Sequence, residues 1–309
     1  MTSGSVIARQ TAGRGAASVR VMRRTNPFVG IRTAQAVASH GRPGGAISPR
    51  VDADRRWPSA VLVVAMLATL GLIGCGGASA SSPQAVADQL SQTDSALRTA
   101  IDGWRAGGDP PSVAPPQEVL DQAEALQVDA RYLAEHPNLN ARVLPLLSAP
   151  LGAETRRLTT AQRDLLRLSH GARHSKLKIG APPPLSDLVS FYREAQGRYG
   201  VGWNYLAAIH LVETKFSRVK SDSVAGAKGP MQFIPSTWRI YGNGGDIHDP
   251  HDAILAAANL LHNNGAPPRY SRALRAYNDS GLYVDAVTRY AREIAANPYG
   301  VYYLYCWMP

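Results

Sequence analysis

Glu213 stands in Leu211-Val212-Glu213-Thr214-Lys215-Phe216, near the end of a stretch otherwise rich in apolar residues. Further along come Gly229-Pro230-Met231-Gln232-Phe233 and then Ala276-Tyr277-Asn278. A carboxyl held in an apolar wall is costly to ionise, so its pKa rises and it can carry a proton near neutral pH. The negative end of a helix dipole close by would push the same way. Such a group suits general-acid work on a glycosidic bond. The plainer alternative is a surface acid at a helix end, paired with Lys215.

Placing that acid requires a helix over Trp203–Thr214, which comes after one over Leu185–Arg198. Asp249-Pro250 reads as an N-cap with proline at the first helical position, opening a helix that stops near Gly265. Helices at 269–277 and 283–296 complete a mostly helical domain, 185–309, with weak strand signals. Upstream, Val86, Leu90, Leu97, Ile101 and Trp104 mark an amphipathic helix over 84–105. Val119, Leu120, Ala123, Leu126 and Leu133 mark a second over 117–135. Pro137, Pro145 and Pro150 punctuate the chain after it, and a third helical stretch is expected from Thr159 to His170. Nothing in this helical region, 84–174, suggests chemistry. The three prolines at 182–184 make 175–184 a linker between the two parts.

The formal charge of +10 would suit an anionic partner such as nucleic acid. Its distribution argues otherwise: residues 1–56 hold ten Arg and two Asp, a net +8, which leaves +2 for the rest. No basic stripe with interleaved aromatics lies downstream, so nucleic-acid binding is not expected. That basic segment has little apolar periodicity and reads as a disordered presequence. Arg55-Arg56-Trp57 leads into the apolar run Val61–Ile73, the pattern of an export signal spanning 57–75. Its end, Leu72-Ile73-Gly74-Cys75, resembles a bacterial lipobox, and that resemblance makes Cys75 the lipid-carrying first residue of the mature chain. An uncleaved anchor over Trp57–Gly74 is the alternative. Either way 76–309 would lie outside the cytoplasm, facing the cell wall, with 76–83 as a flexible tether. With Cys75 acylated, Cys306 has no partner for an intramolecular disulfide.

Four separated signals in order carry a family resemblance. They are Glu213 at its helix end, Ser223-Val224-Ala225-Gly226-Ala227-Lys228-Gly229-Pro230-Met231-Gln232, Ala276-Tyr277-Asn278, and the run from Tyr283-Val284 to Val287. With them, residues 185–300 resemble the SLT-type lytic transglycosylase domain of the lysozyme-like superfamily, which cleaves bacterial peptidoglycan. The resemblance implies a mainly α, lysozyme-like fold with minimal strand content. It implies action on glycan strands at the β-1,4 bond between N-acetylmuramic acid and N-acetylglucosamine, leaving 1,6-anhydromuramyl ends. It makes Glu213 acid and then base, with no second carboxyl needed; none is evident in an apolar setting in this domain. Ser223 and Gln232 match positions that contact the sugar chain in relatives. Tyr277 and Asn278 should face the groove, the tyrosine stacking on a sugar and the amide bonding an acetamido group. Thr214 stands where much of the family has serine; it keeps the hydroxyl, but the departure weakens the case for a direct substrate contact. Met231 would pack under Glu213, line the groove or simply fill the core. A tyrosine hydroxyl should hold the catalytic carboxyl, and both Tyr283 and Tyr290 fit branches of the family.

No cofactor is expected. Two His and two Asp in His248-Asp249-Pro250-His251-Asp252 invite a metal, but Asp249 and Asp252 are explained as helix cap and first-turn acid. Two rivals share the sequence signals: a hydrolytic muramidase using the same Glu with water, and a non-catalytic wall-binding lipoprotein.

Overall fold

A computed structural model describes residues 82–169 and 177–309. The presequence, the signal run with Cys75, residues 76–81 of the tether and the start of the linker lie outside the described residues. Chain contacts place every described residue within one unit, Asp54–Pro309.

Helix α1, Pro83–Arg105, begins where Ser82 accepts a hydrogen bond from the Ala85 amide, with proline in the first turn. It buries Leu90, Leu97, Ile101 and Trp104 against α2, Gln117–Glu135. The short α3, Pro137–Val143, and a 3-10 turn at Leu144–Leu146 lead to α4, Ala149–Ser169. The third helix therefore starts ten residues before its expected start at Thr159. Pro150 lies in its first turn, where the missing N–H has no intrahelical partner to lose.

The remaining helices surround α6. They are α5 (Leu185–Tyr199), α6 (Trp203–Thr214), α7 (Pro235–Tyr241), α8 (Pro250–Asn263), α9 (Tyr270–Tyr277), α10 (Gly281–Ala296) and α11 (Gly300–Cys306). From Leu206 to Thr214 every residue of α6 is buried, the mark of a helix packed on all sides. It touches α5, α8, α10 and α11. Strand content among the described residues is two isolated bridges, Ile179 with Val219 and Lys228 with Phe233. The fold is mainly α, as the resemblance implies.

One apolar core runs through both groups of helices, because α4 lies against α10 and α2 against α11. Polar ties cross the same seam. Arg289 of α10 meets Asp164 of α4 at 2.7 Å, and Gln127 of α2 exchanges two bonds with the Met308 backbone. Within the seam, Glu154 of α4 and Glu293 of α10 are almost wholly buried and share the Asn297 amide at 2.7 and 2.9 Å. Arg98 pairs with Glu154, Arg157 with Glu293, and Tyr303 donates to Glu293. Glu293 is a second buried carboxyl of the domain, in a polar and not an apolar setting. It is ion-paired and lies ten residues after Tyr283 on α10, roughly 15 Å along the helix axis.

Candidate active site

Glu213 is the penultimate residue of α6 and only 6 % exposed. Its carboxyl meets Tyr283 of α10, whose hydroxyl donates to Oε1 at 2.7 Å. Burial pushes Glu213 up to about 8, and the Tyr283 bond opposes this without reversing it. The carboxyl is thus protonated in neutral water, the state a general acid needs. No ion pair joins it to Lys215, which is itself buried, with its ammonium pushed down to about 8 by burial and by Arg218. The surface-acid alternative does not hold.

The backbone after Glu213 is unusual. Lys215, Phe216 and Ser217 have φ of 51°, 57° and 69°, three successive left-handed residues and none of them glycine. Each such conformation costs about 1–2 kcal/mol for an L-residue. Side chains hold it. Thr214 accepts from the Ser217 amide at 3.1 Å and donates to the Pro230 carbonyl at 2.6 Å. With no exposed surface, Thr214 is a brace between helix end and loop, not a substrate contact.

That loop runs from Ser223 to Phe233. Ser223 closes its first turn, its amide donating to the Ala227 carbonyl at 2.9 Å while its Oγ accepts from the Ala227 amide at 2.8 Å. A Cβ on Gly229 would lie 1.8 Å from the Ile247 carbonyl oxygen, so no other residue fits there. Gln232, at φ 49°, donates through Nε2 to the carbonyls of Gly229 (2.9 Å) and Ser221 (3.5 Å). Two carbonyl partners fix which way the amide points. Its Oε1 is then a buried acceptor with no partner among the described residues.

Met231 is fully buried, so it fills the core rather than lining a groove. Its carbonyl accepts the Tyr277 hydroxyl at 2.6 Å. The half-buried Tyr277 ring lies parallel to that of Tyr283 at 6.3 Å and edge-on to Phe233, so its hydroxyl and one face are already used. Asn278 caps α9, and its Oδ1 is a second buried acceptor with no partner among the described residues. Contacts thus link Glu213, Tyr283, Tyr277 and the Met231–Gln232 backbone into one cluster. Tyr290 lies outside it. Its ring is fully buried, edge-on to Trp307, and it holds neither Glu213 nor a substrate.

Two residues that sequence reasoning passed over belong to this region: His210, fully buried three residues before Glu213, and Ser217. A histidine inside an otherwise apolar helix was the available signal. The acid–histidine cluster at α8 has structural employment, since Asp249 accepts from the Asp252 amide, Asp252 from the Asp246 amide, and His251 meets Glu194 at 2.8 Å. A hollow of about 500 Å³ on α1, beside Ser91, Ser95 and Glu118, has a single carboxyl in its lining and no second ionisable side chain beside it. The Glu213 cluster, unlike the hollow, brings buried ionisable side chains into contact with one another.

The site is thus a packed central helix ending in a buried acid, braced by a glycine-containing loop and by the helix that carries Tyr283. Residues 190–299 match the family described as the transglycosylase SLT domain, and over those residues the chain carries such a domain. It is of the lytic-transglycosylase type, whose substrate class is peptidoglycan. No curated protein and no solved structure matches the chain.

Proposed function

We propose that the protein is a peptidoglycan lytic transglycosylase that uses Glu213 alone as acid and then base. Glu213 protonates the oxygen linking N-acetylmuramic acid to N-acetylglucosamine, and the C1–O bond breaks. The substrate's own acetamido oxygen supports the cationic carbon. The Glu213 carboxylate then takes the proton of the muramyl 6-hydroxyl, whose oxygen bonds to C1 and closes the 1,6-anhydro ring. Atoms balance without water. A tethered nucleophile at high effective molarity outcompetes solvent.

The observation that carries this reading is the buried Glu213 carboxyl at the end of α6, held by the Tyr283 hydroxyl and by no other side chain among the described residues. In two-carboxylate glycosidases the partner lies within about 5–9.5 Å; here the other buried carboxyl of the domain, Glu293, is roughly 15 Å beyond Tyr283 along α10 and paired with Arg157. Asn278, half-buried at the end of α9, would present its amide N–H to an acetamido carbonyl of the glycan, and Gln232 would hold the loop beside it. Ser223 would act by shaping the loop. By the lipobox resemblance the chain works outside the cytoplasm, tethered to the membrane through lipid on Cys75; no described helix is long and apolar enough to cross a membrane.

Mass spectrometry of purified peptidoglycan digested by the protein tests the reaction. Anhydromuramyl ends, lighter by one water than reducing ends, are expected. Reducing ends alone would mean a hydrolytic muramidase, and an inert protein that still binds the wall would mean a non-catalytic binder.

A further inference from the structure

Behind Glu213 runs a buried chain of hydrogen bonds that the catalytic cluster does not use. The Tyr192 hydroxyl of α5 meets His210 Nδ1 at 2.7 Å, and His210 Nε2 meets the Ser217 hydroxyl at 2.7 Å. Tyr192 and His210 are fully buried and Ser217 nearly so. Ser217 is the last of the three left-handed residues after Glu213, and its amide is bonded to Thr214. From Thr214 the path continues to the Pro230 carbonyl and so into the loop that carries Gln232.

Backbone bonding alone explains only part of this turn. The Lys215 amide returns to the Leu211 carbonyl, the αL cap that commonly uses glycine at the first left-handed position, and the Phe216 amide reaches back to the His210 carbonyl. Here that position is Lys215, and two more left-handed residues come after it. Backbone bonds from Arg218 to the Lys215 carbonyl and from Val219 to the Thr214 carbonyl close over the turn, and Ser217 itself is held within it by His210 and Thr214. Histidine suits the task because a neutral imidazole offers one donor and one acceptor, matching two hydroxyls that can each do either. Burial, with Lys220 nearby, pushes His210 down to about 3, so it stays neutral.

We infer that His210 is a positioning residue: braced on Tyr192, it holds Ser217 and the left-handed turn closed, and thereby keeps the Glu213 carboxyl against Tyr283 and away from water. The inference rests on the reading of Glu213 as the acid, but its test addresses the carboxyl directly. The titratable groups acting on Glu213 and its tyrosines are Tyr283 and Tyr277; those acting on His210 are Tyr192 and Lys220.

The experiment is a ¹³C-carboxyl NMR titration of the whole protein, with Glu213→Gln identifying the signal, compared between the parent, Ser217→Ala and Tyr192→Phe. Each variant removes one end of the chain with little change in volume, whereas His210→Ala opens a cavity. Water reaching Glu213 in Ser217→Ala should lower its titration midpoint by about one unit or more. The alkaline limb of the pH–rate profile should move down with it, and kcat on soluble glycan strands should fall roughly 10- to 100-fold at nearly unchanged KM. Tyr192→Phe should move the midpoint in the same direction by less, and it decides the matter if Ser217→Ala does not fold. A merely structural role would lower the melting temperature and leave the midpoint in place, and that result overturns the inference. The titration needs no turnover, so a parent inert on glycan would defeat the proposed reaction and still leave the strut to be judged by the midpoint.

Discussion

At Glu213 burial and one hydrogen bond act in opposite directions, and burial prevails. Desolvating a carboxylate costs several kcal/mol, while a single hydrogen bond to a charged group returns about 1.5–3 kcal/mol. The acid form must be present for protonation of the leaving oxygen, so activity is lost as pH rises through the folded pKa of about 8. Tyr283→Phe removes the bond that favours the ionised form. Its alkaline limb should therefore move to higher pH while the rate falls about tenfold, the equivalent of one hydrogen bond. A pH–rate profile checks both, and a limb moving down would contradict the balance described. Glu213 stood out in the sequence only through the motifs around it, since an acid at a helix end beside Lys215 also reads as a surface ion pair. Which tyrosine holds it was not. Tyr283 and Tyr290 are seven residues apart on one helix, hence on the same face, and only packing decides which one meets α6.

The elements around the site do the bracing: α6 delivers the acid, α10 delivers the tyrosine, and the 223–233 loop is pinned to both. Gly229 is where the loop meets the Ile247 carbonyl, at a φ of 71°. Gly229→Ala should lower stability by more than about 1 kcal/mol from the backbone conformation alone, with the clash added. It should also displace Gln232, so thermal melting and glycan cleavage should both fall; an unchanged melting point would mean the loop is not held there. The long helices around Glu213 were readable from apolar spacing and from caps such as Asp249-Pro250. Helices α3, α7 and α11 were not, since seven residues make only two turns and show no period. The early start of α4 was hidden because Pro150 reads as a break, and because the buried Glu154 and Thr155 interrupt its apolar stripe.

Over the whole molecule, α1–α4 share a core with the helices that carry the site, and α4 backs the helix bearing Tyr283. Apolar periodicity gives each stripe but not which stripes face each other, so this seam was invisible in the sequence. Within it, burial, together with the charges of Glu293 and Asp94, pushes Glu154 up to about 8 from an unfolded value of 4.5. The folded state holds that proton more tightly, so the stability it lends is complete below 4.5 and is lost as pH rises through about 8. Melting followed from pH 4.5 to 8.5 should show the parent weakening and Glu154→Gln weakening less; equal slopes would place the proton elsewhere. Glu213 contributes to the slope with the same sign, so Glu213→Gln should melt higher than the parent at pH 8. That variant also provides the most direct test of the account as a whole. Release of anhydromuropeptides from purified peptidoglycan should drop at least about 100-fold in a folded Glu213→Gln protein, whereas release near the parent rate would show that this side chain does not move the proton.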